Sequence, residues 1–376
     1  MDEKIVTVVG MGMVTALGNN LTRTWQKLLL GETAISLQQP FPELPQLPLA
    51  TVTPRPTSPL VLLAQALEMA LADAGYKTPL KNCGVVIGSS RSQQALWEKW
   101  AAGNYLETEF PWLSSLPQML AIEVAQKVGV KGLVSSPNAA CATSHWAIAQ
   151  AVEWLQTQKC QRVIVGAVES CLSPLNIAGF TKLGALAKTK ASPFDKHRQG
   201  IVLGEAAAIL ILELQPVAKF PQTKTYGKIL GFGFSNDAYH QTALDPDYQT
   251  AATAIKNCLQ RSQITSAQVN FIHTHGTGTR LNDEREANLI QALFPHDTFI
   301  LSTKGATGHT LGASGILGAV FSLLALQQQI LPPCVGLEKP EYNLNFVRQA
   351  QTASLETALC LSFGFGGQNA VVAFGH

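Results

Sequence analysis

Residues 305–337 read GATGHTLGASGILGAVFSLLALQQQILPPCVGL, a stretch without one Asp, Glu, Lys or Arg. Residues 133–152, LVSSPNAACATSHWAIAQAV, have the same character. A helix with no charge on any face has no side to offer to water, so it is buried all round. Each stretch begins with a short polar lead, and each half of the chain holds one. Two such helices predict a pseudo-symmetric core, with the helices sandwiched between two sheets.

The rest of the chain supports that plan. Strand-like runs (Ile5–Val9, Gly84–Ile87, Arg162–Val165, Ala206–Leu214) alternate with helical patterns (Thr22–Leu30, Leu60–Ala74, Leu116–Val128, Cys141–Leu155). A second series follows: strands at Lys228–Phe234, Val269–Ile272 and Phe299–Leu301, helices at Gln249–Arg261, Asp283–Leu293 and Leu311–Gln329, and closing strands at Ala358–Ser362 and Ala370–Phe374. Gln38–Pro59 holds seven prolines and reads as an irregular surface crossing. Alternation of this kind predicts α/β layers with largely parallel sheets. The halves are expected at 1–215 and 225–376, packed as one unit and joined near Gln215–Thr225.

Composition narrows the function. Charged residues are 14% of 376 and the net charge is +2, which excludes a basic field for nucleic acid. Hydrophobic residues at 46% exclude disorder. The apolar run Ile316–Leu326 is too short to span about 30 Å of hydrocarbon, and the charged start Met1–Lys4 is not a signal peptide. A cytoplasmic protein is expected. Seven cysteines without a C-x-x-C argue against a zinc site or a disulfide framework.

Three segments carry residues suited to chemistry. Cys141 stands among small residues at the start of the first buried helix, where the macrodipole favours thiolate; the other reading is a small buried residue packing like Ala. His275 follows a predicted strand in His273-Thr274-His275-Gly276-Thr277-Gly278-Thr279, as a catalytic group, a backbone cap, or half of an H-x-H metal pair. His309 opens the second buried helix, so pseudo-symmetry sets it opposite Cys141; it could also be a cap. Lys304, five residues upstream, is solvated or sets a field, because an uncompensated buried ammonium is costly. Gly10-Met11-Gly12 is only a partial nucleotide fingerprint.

Together these segments resemble the β-ketoacyl synthase family of thiolase-fold condensing enzymes, in order and over nearly the whole chain. Ala140-Cys141-Ala142-Thr143-Ser144 is similar to its nucleophile motif. Gly166–Ser170 and Pro193–Gly200 are similar to its middle signatures, His275–Thr279 and Lys304–His309 to its histidine motifs, and Gly364-Phe365-Gly366-Gly367 to its C-terminal turn. The resemblance implies duplicated βαβαβαββ halves in a five-layered α-β-α-β-α fold and a Cys141–His275–His309 centre with Lys304. It implies an oxyanion hole from the Cys141 and Phe365 amides, with Phe365 also a gate, and a pantetheine arm held by Thr277 and Thr279. The implied reaction is a decarboxylative Claisen condensation of an acyl-Cys enzyme with malonyl carrier protein, without metal or redox cofactor. The implied partners are an acyl carrier protein and a second ketosynthase or chain-length-factor subunit. A non-elongating chain-length-factor-like subunit is the alternative. Gly318 stands where the fatty-acid branch often carries Glu, Gln199 where Asp is usual, and the histidine loop reads Thr-Gly-Thr. These departures tilt the expectation toward a polyketide or polyene pathway.

Overall fold

The computed structural model describes residues 4–103, 112–216, 225–243 and 245–376. Most of the predicted junction, 217–224, lies outside the described residues. In the first half, β1 (Lys4–Thr15), α1 (Leu21–Leu29), β2 (Ser36–Gln38), β3 (Leu47–Ala50), α2 (Pro59–Asp73), β4 (Cys83–Gly88) and α3 (Gln94–Ala101) come first. Then follow α4 (Met119–Val128), β5 (Val134–Ser135), α5 (Thr143–Gln156), β6 (Arg162–Ser170), α6 (Pro174–Lys182) and β7 (Leu203–Pro216). The second half begins with β8 (Gly227–Asn236), α7 (Gln249–Ser262), β9 (Phe271–His273), α8 (Arg280–Leu293), β10 (Phe299–Leu301), α9 (Lys304–Thr307) and α10 (Ser314–Gln328). It ends with β11 (Ile330–Leu331), β12 (Asn345–Phe346), β13 (Gln351–Thr352), β14 (Thr357–Gly364) and β15 (Gln368–Gly375).

The main sheet runs β12-β10-β9-β14-β15-β8-β1-β7-β6-β4-β5. Its two halves meet where β1 pairs with β8 over only Val6–Val8. Helices α2 and α4 cover one outer face, against β1, β7 and β4; α7 covers the other, against β8 and β15, with α8 beside it. Between the two half-sheets lie α5 and α10, in contact with each other. The order is α-β-α-β-α, the thiolase-like arrangement expected.

The expectation of largely parallel sheets is corrected. Pairings are parallel at the ends of the sheet, but antiparallel from β14 through β15, β8, β1 and β7 to β6. A parallel pair needs a crossover. Here β14 turns into β15 through Phe365–Gly367 alone. The irregular crossing also needs correction, since Leu47–Ala50 pairs with the start of β7. The unpredicted α6 carries a readable signal, Ser173 capping Asn176 N with Pro174 in the first turn.

The buried-helix reading holds for α10 and only in part for the first stretch, where the helix starts at Thr143 and Leu133, Val134 and Trp146 are each 39% exposed. Every residue from Ser314 to Leu326 in α10 is buried. The span Leu311–Gln328 is long and apolar enough to cross a bilayer, but 89% of it lies inside the protein, as a core helix does. Full burial of side chains such as Leu323 and Phe321 is worth roughly 1.5–3 kcal/mol each. The layers approach closely through glycine: a Cβ on Gly12 of β1 would stand 2.0 Å from the Ala66 carbonyl oxygen of α2. Gly12→Ala should therefore force β1 and α2 apart and cost roughly 1–3 kcal/mol. A urea midpoint equal to wild type would show that the layers can yield.

Candidate active site

Cys141 sits on a tight turn between β5 and α5. Ala140 has φ 49°, a left-handed conformation that costs an alanine energy and must be held by its surroundings. Thr143 holds it, donating its hydroxyl to Ala140 O (2.6 Å) and accepting from Ala139 N (2.9 Å). From the other half-sheet, Ser362 Oγ donates to Cys141 O (2.8 Å). Gly364 comes so close that a Cβ there would lie 2.8 Å from Ala139 O and 3.2 Å from Cys141 N. Phe365 follows, 37% exposed and stacked on Phe180 at 6.1 Å.

His275 stands in the loop after β9, and two carboxylates of α8 hold that loop. Glu286 accepts from His275 N (2.6 Å) and Gly276 N (2.7 Å). Asp283 accepts from Thr277 N and Gly278 N (3.1 Å each) and Phe194 N (2.7 Å). Gly276 and Gly278 have φ +43° and +83°, which permit the tight path. His309 is held by its backbone, which gives its N–H to Val202 O (2.6 Å) and accepts from Gly204 N (3.1 Å) at the head of β7. Its Nδ1 accepts from Leu311 N (3.2 Å), so the neutral ring carries its proton on Nε2.

These turns bring the Cys141 thiol and the His275 and His309 imidazoles together, with one ligand-type atom of each within 4.8 Å of the others. The two rings are edge-to-face with centroids 5.4 Å apart. They form the floor of a cleft walled by Thr277, Thr279, Phe363 and Phe365. Thr277 and Thr279 share a hydroxyl contact of 2.9 Å. Lys304 is 4% exposed and donates its ammonium to His275 O. The H-x-H pair separates: His273 turns to Thr303 and Cys360. Among the described residues, Cys141, His275 and His309 are a group that could hold a thiophilic ion.

Comparison with known proteins bears on this centre. The β-ketoacyl synthase N-terminal domain matches residues 56–218 and the C-terminal domain 226–338. The 3-oxoacyl-[acyl-carrier-protein] synthase 2 of Coxiella burnetii is 34% identical over 98% of both chains. The chain belongs to the β-ketoacyl-[acyl-carrier-protein] synthase family. A putative mitochondrial 3-oxoacyl-[acyl-carrier-protein] synthase of Schizosaccharomyces pombe is 31% identical over 99% of each chain. A β-ketoacyl synthase structure from Burkholderia phymatum superposes with TM-score 0.89 and 27% identity over the full length of both chains. A type II PKS acyl-carrier protein complex with its ketosynthase, bound to the hexaketide, gives 0.91 and 27%, covering 100% of this chain and 99% of that one.

In this β-ketoacyl synthase family member one expectation is corrected. Helix α5 begins at Thr143, so Cys141 precedes it on the turn. Burial pushes its thiol up to about 12, and Lys304, the largest opposing influence, does not reverse this. The resting form is the thiol, because desolvation outweighs a helix end two residues away. Sequence reading missed three carboxylates. Asp283 and Glu286 are spaced i, i+3 on one face of α8. Glu169, inside the Gly166–Ser170 motif, accepts from Ser90 N (3.1 Å), Arg91 N (3.0 Å) and Gly312 N (3.1 Å), tying β6 to the His309 turn. Gln199 Oε1 accepts from Lys188 N (3.2 Å), away from the floor.

The buried imidazoles are neutral. Burial, reinforced by Lys304, holds His145 and His273 down to about 3, and His275 and His309 well below their ordinary value. Each would be protonated below about pH 6.5 in the unfolded chain but stays neutral folded. Unfolding thus takes up protons in acid, and stability present at neutral pH is lost as pH falls, by up to about 1.4 kcal/mol per unit for each ring. Glu286, pushed up to about 7 by burial, opposes this with its one proton; Asp283 and Glu205, also raised by burial, act in the same sense. The urea midpoint should fall between pH 7 and pH 5. A flat or rising profile would contradict neutral histidines.

Proposed function

We propose that this chain is a β-ketoacyl-ACP synthase that joins an acyl group to a malonyl unit, each delivered as a carrier-protein thioester. The observation that carries this reading is the convergence of Cys141, His275 and His309 at the floor of a cleft lined by Thr277 and Thr279. Cys141 Sγ attacks the acyl thioester, and the thiol proton leaves with the carrier's pantetheine sulfur. A sulfur nucleophile is also a good leaving group, which the second step requires. The malonyl thioester then binds with its carbonyl oxygen toward the His275 and His309 rings. As CO2 departs, its bonding electrons form an enolate, and imidazole N–H groups stabilise the oxygen. The enolate carbon attacks the acyl carbonyl, whose developing oxyanion faces the amides of Cys141 and Phe365. Collapse expels the Cys141 thiolate and releases a 3-oxoacyl product on the carrier. Lys304 fixes the His275 backbone and supplies positive charge to the site. No metal or redox cofactor enters, so a chelator should leave turnover unchanged.

The pathway reading favours polyketide or polyene synthesis over fatty-acid synthesis, supported by Gly318, Gln199 and the Thr-Gly-Thr loop. A chain-length-factor role is disfavoured by the retained Cys141. For partners, we infer a carrier protein and a two-fold or pseudo-two-fold dimer. Strand β5 ends the sheet, with its Val134 and the preceding Leu133 each 39% exposed. An open apolar edge invites pairing.

Mass spectrometry after incubation with acyl and malonyl carrier proteins tests the chemistry. Cys141→Ala should abolish acyl loading. His275→Ala and His309→Ala should keep at least partial loading but lose decarboxylation by about 10²–10³-fold, the cost of one oxyanion donor. Elongation at the wild-type rate in both histidine variants would refute the mechanism. In native mass spectrometry a species of twice 40.3 kDa supports a homodimer. Dependence on co-expression with a homologue supports a heterodimer, and a fully active monomer refutes both.

A further inference from the structure

Behind the cleft lies an imidazole that the proposed chemistry does not use. His273 ends β9, two residues before His275, and is 3% exposed. Its Nε2 is 3.0 Å from Thr303 Oγ1 and its Nδ1 3.7 Å from Cys360 Sγ. Thr303 directly precedes Lys304, at the N-cap position of α9. Cys360 lies on β14, the strand that runs on to Gly364 and Phe365. One ring therefore joins the His275 loop, the Lys304 segment and the strand behind the Cys141 turn.

The two ring nitrogens divide between two partners, Thr303 at Nε2 and Cys360 at Nδ1. The Cys360 thiol is pushed up to about 12 and the His273 ring held down to about 3, so the first keeps its proton and the second is neutral. A neutral imidazole donates from one nitrogen only. With the Cys360 S–H taken as the donor to Nδ1, Nε2–H is the donor to Thr303. The other titratable groups acting on the ring are Lys304 and His145. The ring fits because α10 offers no side chain there: a Cβ on Gly318 would stand 2.8 Å from His273 Nδ1 and 2.6 Å from Cys360 Sγ.

We propose that His273 is a positioning residue, which through Thr303 fixes Lys304 against His275 and Cys141, and that Gly318 is the gap in α10 that admits it. The inference rests on the proposed reading of Cys141 and Lys304 as parts of a condensing site. Lys304 is the strongest influence favouring the Cys141 thiolate, so a displaced Lys304 should slow alkylation of Cys141 even where no condensation is measured. A packing role would be served by an apolar residue of similar volume. The proposed role needs a donor at the Nε2 position, which Gln can supply and Leu cannot.

The test measures iodoacetamide alkylation of Cys141 at pH 8 by peptide mass spectrometry, together with malonyl decarboxylation, in His273→Leu, His273→Gln and Gly318→Ala. His273→Leu and Gly318→Ala should slow alkylation at least about threefold, the equivalent of half a pH unit, and decarboxylation at least about tenfold. His273→Gln should restore both to within about threefold of wild type. Wild-type alkylation in His273→Leu, or rescue by Leu and not by Gln, overturns the inference. Where His273→Leu does not fold, Gly318→Ala decides, and a wild-type rate there overturns it. A wild-type protein that never decarboxylates malonyl carrier protein sinks the proposed function instead, while the alkylation series still judges His273.

Discussion

The contact between α5 and α10 is what the rest of the site depends on. Helix α10 carries no charge and α5 only the exposed Glu153 near its C-terminal end, so both enter the middle layer and meet there. Their approach is close because Ser144 faces Gly315, where a Cβ would stand 3.0 Å from the serine Cβ. Ser144 also donates its hydroxyl to Gly312 O. The turn before each helix is thereby set in register with the other. One turn carries Cys141 and the other His309, so a thiol and an imidazole from opposite halves face each other at the floor of the cleft.

A buried polar frame keeps those turns in place. Glu169 ties Gly312 to the loop after β4, Glu286 and Asp283 gather the amides of the His275 loop, and Lys304 grips the His275 carbonyl. Each carboxyl accepts several hydrogen bonds, which reduces the cost of burying it. The cation and its carboxylate neighbours moderate one another: burial lowers the Lys304 affinity for its proton, and Glu286 is the largest influence opposing that. The frame leaves the imidazoles neutral, so each ring has one N–H to donate.

Much of this was legible in the sequence, for a local reason. Charge-free runs report burial directly, and the period of the apolar residues reports element type. The two buried helices, most strands and Cys141, His275, His309 and Lys304 could therefore be named from residue pattern and family resemblance. Sheet direction was less legible, because strands buried on both faces look alike whether paired parallel or antiparallel. Glu169 and Asp283 were hidden for another reason: a carboxylate on a helix or strand looks solvated until the loop that covers it is known.

The sequence by itself determined which segments are buried, in what order the halves run, and which side chains are chemically able to act. It could do so because burial and secondary structure depend on neighbours along the chain. Only the tertiary structure decided that the three groups converge, that Cys141 rests as a thiol, and that His273 turns away from His275 into the space left by Gly318. Those outcomes depend on desolvation and on contacts between residues such as His273 and Gly318, far apart in sequence and a few ångströms apart in the fold.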